Sequence, residues 1–136
     1  MIKRDYIKKL LFIFLLAFGT NWVWENAHAI LYYHPDGTLM TQEVLLLATL
    51  FDATFIAFLG IIHLITPGFR GKLWLLLIVA FVVAVVIEWR ALIEGRWAYT
   101  FAMPIIPLLD TGLTPTLQLP LLTYLVFRFA NLNQPI

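Results

Sequence analysis

Four long runs of apolar residues, separated by short polar segments, dominate the pattern along the chain. Each run approaches the roughly 20 residues that a helix needs to cross about 30 Å of hydrocarbon. We therefore predict an all-α fold, a single membrane domain over residues 1–136 built as a bundle of about four transmembrane helices. The predicted helices are residues 10–29, 44–66, 73–93 and 113–130.

The segments between these runs carry residues that favour turns. Residues 34–37 read H-P-D-G and residues 66–68 read T-P-G. Pro104 and Pro107 lie in a longer segment before the fourth run. Whether residues 99–112 form a surface loop or dip into the membrane stays open at this point.

The composition supports lipid as the solvent for most of this surface. Hydrophobic residues make up 62% of the chain and charged residues 12%, against roughly 45–50% and about 25% in soluble proteins. A small water-soluble domain buries only about two thirds of the surface that its unfolded chain exposes. We therefore exclude a compact water-soluble domain.

Charge and cysteine content remove further classes of function. The net charge of +1 provides no basic field for nucleic acid, so no nucleic-acid partner is expected. The chain has no cysteine, which excludes disulfides, thiolate metal sites and cysteine nucleophiles. The expected partners are the lipid bilayer, a lipophilic small molecule and a second copy of the chain.

The distribution of Lys and Arg predicts the orientation. Residues 30–43 contain neither, whereas basic residues flank the other ends of the runs. These are Lys3, Arg4, Lys8, Lys9, Arg70, Lys72 and Arg128. The positive-inside rule places both termini in the cytoplasm, and we expect a multi-pass protein of the bacterial inner membrane. Arg90 and Arg96 are exceptions, each with an acidic neighbour, Glu94 four residues after Arg90 and Glu88 near Arg96.

An alternative interpretation makes the first 29 residues a signal peptide. They have a basic start, an apolar run and an A-H-A sequence that imitates a cleavage site. The bulky N-W-V-W-E-N sequence at residues 21–26 is unusual for a cleavage region, so a first membrane helix is favoured.

Ionisable side chains inside apolar runs are the main functional signal, because burying them in hydrocarbon costs a few kcal/mol or more. Asn21, Glu25, His28 and Tyr32 are spaced by four, three and four residues, which places them on one helical stripe beside Trp24. The stripe lies in the outermost turns of the first helix.

The other three helices each bring a polar residue to a similar depth. Asp52, Glu88 and Gln118 fall in the outer halves of the second, third and fourth helices. His63 shares a face with Asp52 but lies about 16 Å further along the helix, so the two cannot form one site. The predicted site therefore combines Glu25, Asp52, Glu88 and Gln118, and at least one of its carboxyls is expected to be protonated near neutral pH.

Each residue also has a structural interpretation. Glu25, Glu88 and Glu94 could lie in the headgroup region paired with arginines, and Asp52 could satisfy an interhelical hydrogen bond. An aromatic belt at one membrane boundary explains most of the Trp and Tyr residues. The catalytic candidates are Glu25, Asp52 and Glu88. The candidate ligand-binding residues are Asn21, Trp24, His28, Glu94, Arg96, Trp97, Tyr99 and Gln118.

No metal or cofactor is expected. Glu25 and His28 have the Glu-x-x-His spacing of di-iron bundles, but those bundles use two such motifs. His28 and His63 belong to opposite leaflets, so they cannot ligate one haem.

Two stretches resemble a family of uncharacterised small multi-pass bacterial membrane proteins. Residues 21–32 fit N-x-x-W-E-x-x-[HQ]-x-x-L-Y, and residues 94–104 fit E-G-R-W-x-Y-x-x-x-M-P. The N-x-x-W-E core is also similar to a segment of the integral-membrane terpene cyclases of fungal meroterpenoid pathways. In those enzymes a membrane-buried acid protonates an epoxide or alkene, so the resemblance implies that Glu25 is the acid.

Two functional hypotheses follow. In the first, the outer polar layer binds or transports a small or lipophilic ligand, or recognises a partner helix. In the second, the protein is an intramembrane enzyme that acts on an isoprenoid or lipid by general acid catalysis. Glu25 would then donate the proton, Asp52 or Glu88 would tune it, and Trp24, Trp89 and Trp97 would form the walls.

Overall fold

The computed structural model describes residues 4–132 and consists mainly of four α-helices. They are α1 (Arg4–His28), α2 (Gln42–Ile65), α3 (Leu73–Ile93) and α4 (Leu113–Phe129). Two short 3₁₀ turns, Ala29–Leu31 and Pro67–Phe69, follow α1 and α2. Four two-residue strands complete the fold: β1 (Tyr32–Tyr33), β2 (Ala98–Tyr99), β3 (Ile105–Ile106) and β4 (Thr111–Gly112). The predicted all-α class is confirmed.

Helix boundaries agree with the apolar runs except at the start of α1. The helix begins at Arg4, whereas the run begins at residue 10, because Arg and Lys, which are good helix formers, continue the helix outside the apolar stretch. The start of α2 is fixed by Thr41, whose hydroxyl accepts a hydrogen bond from the backbone N–H of Val44. Lys3, one of the basic residues used to predict orientation, lies outside the described residues.

Three helical segments of the described chain are long and apolar enough to cross a membrane: Arg4–Leu31, Gln42–Ile65 and Leu73–Ile93. The fourth predicted span is present as α4, but it has only 17 residues. It contains three threonines, Gln118, Pro115 and Pro120, and the side chains of Thr116, Gln118 and Thr123 are buried inside the bundle. The fourth helix is therefore shorter and more polar than the other three.

The helices pack in the order α2, α1, α4, α3. α2 lies along α1, α1 contacts α4, and α4 lies along α3, whereas α2 and α3 make little direct contact. Gly60 permits the close approach of α2 to α1, because a Cβ atom there would lie 3.2 Å from Ile13 Cδ1. Consecutive helices α2 and α3 thus lie at the two edges of the bundle, with a gap between them that we call the α2–α3 gap.

One end of the bundle is covered by the two short antiparallel ribbons. β1 pairs with β2, joining Tyr32 to Tyr99, and β3 pairs with β4, joining Ile105 to Gly112. We call this end, formed by residues 29–41 and 94–112, the capped end. The segment that the sequence left open is therefore a folded cap, tied to α3 by a hydrogen bond from Trp89 Nε1 to the Leu109 carbonyl oxygen (2.6 Å).

The cap depends on close packing at Gly112. A Cβ atom at this position would lie 2.7 Å from Met103 Sδ and 3.0 Å from Pro115 Cγ. Gly112→Ala should therefore lower the free energy of unfolding by about 1–3 kcal/mol, the usual range for overpacking. Thermal unfolding in detergent, followed by fluorescence-detected size exclusion, measures the change.

Gly19→Ala is the matched control, because nothing lies within 4 Å of a Cβ atom at this helical glycine. It should leave the unfolding temperature unchanged or raise it, since Ala is favoured over Gly in a helix by up to about 1 kcal/mol. Equal unfolding temperatures for the two variants would contradict the packing at Gly112.

Candidate functional site

One side-chain amide joins three helices near the capped end. Gln118 Nε2, on α4, lies 3.0 Å from Asn21 Oδ1, 2.8 Å from Glu25 Oε1 and 3.0 Å from Asp52 Oδ2. Asn21, Glu25 and Gln118 are buried. We call these four residues the polar layer. The structure therefore brings together the polar residues of α1, α2 and α4 that the sequence predicted to converge.

The third predicted carboxyl, on Glu88, lies next to the polar layer but has its own partners. Glu88 Oε2, on α3, accepts hydrogen bonds from Tyr99 Oη and from Trp97 Nε1, the latter at 3.4 Å. The sequence placed Arg96 near Glu88, but the Arg96 guanidinium pairs with Glu94 instead. This correction has a simple cause: Arg96 follows the positive-φ turn at Gly95, which directs the chain away from the end of α3.

The cap holds the donors that Glu88 needs. Tyr99 lies on β2 and pairs with Tyr32 of β1, and its hydroxyl also accepts the Gly112 backbone N–H at 3.0 Å. Burial and the neighbouring Glu88 carboxyl raise the pKa of the Tyr99 hydroxyl above its ordinary value, so it remains a hydrogen-bond donor. The β1–β2 ribbon thereby connects the cap to the candidate site.

A cavity of about 400 Å³ reaches the polar layer. Its polar wall contains all three candidate carboxyls, and its apolar wall comes mainly from α2 and α3 across the α2–α3 gap. Leu47 and Phe51 line the cavity and are also exposed on the outside of α2. The polar and charged lining residues are Glu25, His28, Tyr32, Asp52, Glu88, Arg96, Trp97 and Gln118. The volume lies within the range of ligand pockets, roughly 300–1,000 Å³.

Some predicted site residues lie outside this cavity. Glu94 does not line it, and its exposed carboxylate pairs with Arg90 Nη2 at 2.8 Å and with Arg96. These pairs, the Arg90 hydrogen bonds first, lower the pKa of Glu94. Glu94 is therefore paired with arginines, as its structural interpretation expected, whereas Glu88 is buried and forms no salt bridge with either arginine.

The predicted tryptophans also include residues that line the cavity and residues that do not. Trp97 lines the cavity, but Trp24 does not; it lies among the core residues, and its backbone carbonyl accepts a hydrogen bond from His28 Nδ1 at 2.8 Å. Trp89 bonds to the cap. Of the three predicted tryptophan walls, the structure places only Trp97 at the cavity.

Several lining residues were not among the sequence-predicted site residues. Tyr32 lies one turn beyond His28, and its ring centroid is 6.0 Å from that of Trp97. The sequence could have identified Tyr32 as a site residue, because its spacing places it on the same stripe as Asn21 and Glu25. No sequence signal marks the apolar lining residues, because a Leu, Ile or Phe that faces lipid cannot be distinguished by sequence from one that faces a cavity. They are Met40, Val44, Leu45, Leu47, Ala48, Phe51, Ala84, Ile87, Pro115 and Leu119.

His63 lies far from the site, as its distance from Asp52 predicted. It is buried near the opposite end of the bundle, where Nε2 donates to the Leu132 carbonyl oxygen at 2.9 Å. Among residues 4–132, no group of three or more His, Asp or Glu side chains is arranged to hold a metal ion.

Comparison with known proteins returned no match. No protein-family model matches the chain, and neither a curated protein nor a solved structure does. The chemistry of the site is therefore argued from its own geometry.

The Gln118 amide should be essential to the packing of α1, α2 and α4. Gln118→Leu keeps a similar volume but leaves buried acceptors on Asn21, Glu25 and Asp52 without a donor, at about 1–3 kcal/mol for each unsatisfied group. We expect a large fall in unfolding temperature in detergent.

Gln42→Leu is the matched control for this variant. Gln42 also donates through Nε2, to Asn26 Oδ1 at 3.1 Å, but this bond is exposed. Its loss should change the unfolding temperature little, since water replaces the partner. If Gln118→Leu were equally mild, the polar layer would not hold the helices together.

Proposed function

We propose that this chain is an integral membrane protein that binds a lipophilic small molecule, admitted from the bilayer through the α2–α3 gap. The observation that carries the proposal is the cavity that runs from exposed Leu47 and Phe51 to the carboxyls of Glu25 and Asp52. An apolar cavity with a few polar groups at one end is the usual form of a small-molecule site. The apolar end would hold the hydrocarbon part of the ligand, and the polar layer its head.

The exterior of the helices supports membrane insertion. Large apolar side chains are exposed along all four helices, among them Leu15, Phe58, Val82 and Leu121. Such a surface is suited to lipid. We propose that α4 also crosses the bilayer, because packing between α1 and α3 covers its polar side chains.

Charge supports the proposed orientation, with the capped end outside a bacterial inner membrane. The end opposite the cap carries basic residues: Arg4, Lys8, Lys9, Arg70, Lys72 and Arg128. Arg90 and Arg96 lie at the capped end, but both are paired with Glu94. The positive-inside rule then favours a cytoplasmic position for both termini.

An intramembrane enzyme is the second candidate, and one observation favours it. Glu25 lines the cavity and is only 8% exposed, so its carboxyl would meet a bound molecule out of contact with bulk water. A proton from Glu25 could then be delivered to an alkene or epoxide, as the N-x-x-W-E resemblance implies. Self-association of the chain stays a prediction.

Native mass spectrometry of the gently purified protein tests the binding proposal. A specific lipophilic molecule should co-purify with the wild type and be lost or reduced in Glu25→Gln and Asp52→Asn, which remove a carboxyl without removing volume. A chemically different molecule on Glu25→Gln would favour the enzyme. Glu43→Gln, an exposed change on α2 outside the cavity, is the control. Only bulk lipid on every protein would contradict the proposal.

The route through the α2–α3 gap is tested by filling it. Ala48 is half-buried and lines the cavity, so Ala48→Trp should occupy the opening and reduce the co-purifying molecule about tenfold or more, a loss of roughly 1.4 kcal/mol. Leu46→Trp, exposed on the same helix outside the cavity, should have no effect. Full occupancy of Ala48→Trp would mean that the ligand enters elsewhere.

A further inference from the structure

The polar layer has more acceptor oxygens than the Gln118 amide has hydrogens. Gln118 Nε2 carries two hydrogens but is surrounded by three acceptor oxygens, on Asn21, Glu25 and Asp52. The second oxygen of Glu25, Oε2, accepts no hydrogen bond from residues 4–132, although Glu25 lines the cavity. The Gln118 amide therefore cannot satisfy all three acceptors of the polar layer, and Glu25 Oε2 is left without a hydrogen bond among the described residues.

His28 adds a further acceptor beside Glu25. Its Nδ1 lies 2.8 Å from the Trp24 carbonyl oxygen, and since a carbonyl can only accept, Nδ1 carries the hydrogen. In the neutral ring Nε2 is then a lone pair. It lies 3.9 Å from Glu25 Oε2, too far for a direct hydrogen bond. His28, like Glu25, is 8% exposed and lines the cavity, so two buried acceptors face the same space.

Among the described residues, the carboxyls that line the cavity have no Lys or Arg paired with them. Glu25, Asp52 and Glu88 all line the cavity, and within residues 4–132 none of them forms a salt bridge with Lys or Arg. Arg96 also lines it, but its guanidinium is held by Glu94. A bound ammonium group would supply N–H donors to these acceptors and form an ion pair with a cavity carboxylate.

The aromatic side chains of the cavity suit the same ligand. Tyr32 and Trp97 pack edge to face with centroids 6.0 Å apart, and both line the cavity beside Glu25 and Glu88. Aromatic faces attract ammonium groups, by about 0.5–2 kcal/mol each according to solvation. The apolar α2 wall, with Leu47 and Phe51, would take a hydrocarbon tail.

We propose that the ligand is a lipophilic amine whose ammonium group binds between Glu25 Oε2 and His28 Nε2, with its tail in the α2–α3 gap. This inference rests on the proposed lipophilic-ligand site and specifies its chemistry. A carboxylate or phosphate head would face three carboxyls. A hydroxyl head would supply one donor, whereas a primary ammonium supplies three and can form an ion pair with a carboxylate.

Three probes with the same tail and different heads test the proposal: dodecylamine, whose primary ammonium can donate to both acceptors, dodecanol and dodecanoate. Binding is measured by native mass spectrometry and by thermal shift, with the protein in nanodiscs of phosphatidylcholine and with empty nanodiscs as the control for partitioning. The amine should bind about tenfold or more tightly than dodecanol, a difference of roughly 1.4 kcal/mol, and dodecanoate should bind most weakly.

Carboxyl variants test whether the preference for the amine depends on Glu25 and Asp52. Glu25→Gln and Asp52→Asn should each weaken amine binding about tenfold while leaving dodecanol binding unchanged, and Glu43→Gln should alter neither. Using two isosteric variants guards against loss of folding in one of them, and unfolding temperatures without ligand show which remain folded.

The outcomes separate the inference from the proposed function. If dodecanol or dodecanoate binds as tightly as the amine, the amine inference is overturned while the lipophilic site stands. If the amine is preferred but the preference survives both carboxyl variants, the proposed position of the ammonium is wrong. If no probe binds better than to empty nanodiscs, the amine inference fails, and the co-purification experiment decides whether the lipophilic site fails as well.

Discussion

The hydrogen bonds of the Gln118 amide are the constraint on which the rest of this structure depends. The amide is the one donor group that reaches acceptors on both α1 and α2 from α4 among the described residues. In a bundle whose exterior is as apolar as its interior, burial of hydrocarbon does little to specify which helices are neighbours. A buried polar contact does specify them, because a helix pairing that left Asn21, Glu25 or Asp52 without a donor would cost several kcal/mol.

The position of the cavity follows from this arrangement. With α1 and α4 in the middle, α2 and α3 lie at the edges of the bundle and make little contact with each other. The space between them is bounded at depth by the polar layer and on the α3 side by Glu88. Glu88 is held through Tyr99 and Trp97, which the β1–β2 ribbon and the turn before it bring over the end of α3. The cap therefore does more than connect helices, since it supplies the hydrogen-bond donors for a buried carboxyl.

The same geometry accounts for the chemistry proposed here. A cavity that is apolar towards α2 and rich in acceptors at its inner end is suited to a molecule that is itself divided into a hydrocarbon part and a donor head. The arginines at the capped end pair with Glu94 on the surface and form no salt bridge with the carboxyls of the cavity. Those carboxyls are therefore without a Lys or Arg partner among the described residues.

Much of this could be predicted from the sequence, and the limit has a physical reason. The length of the apolar runs determined α2, α3 and α4 to within two residues, and helical periodicity determined that Asn21, Glu25, His28 and Tyr32 share a buried stripe. The cost of burying polar groups also indicated that Asp52 and Gln118 belong with them. These are properties of single helices in an apolar solvent, so local sequence is sufficient to reveal them.

Only the tertiary structure decided which helices are neighbours, which partner each acid has and where the cavity lies. Arg96 pairs with Glu94 and not Glu88 because the turn at Gly95 redirects the chain. Leu47 and Phe51 line a cavity because α3 does not pack on α2, and nothing in an apolar side chain distinguishes a lipid-facing position from a cavity-facing one. Contacts between residues distant in sequence depend on how whole helices pack, and the apolar pattern is compatible with more than one such packing.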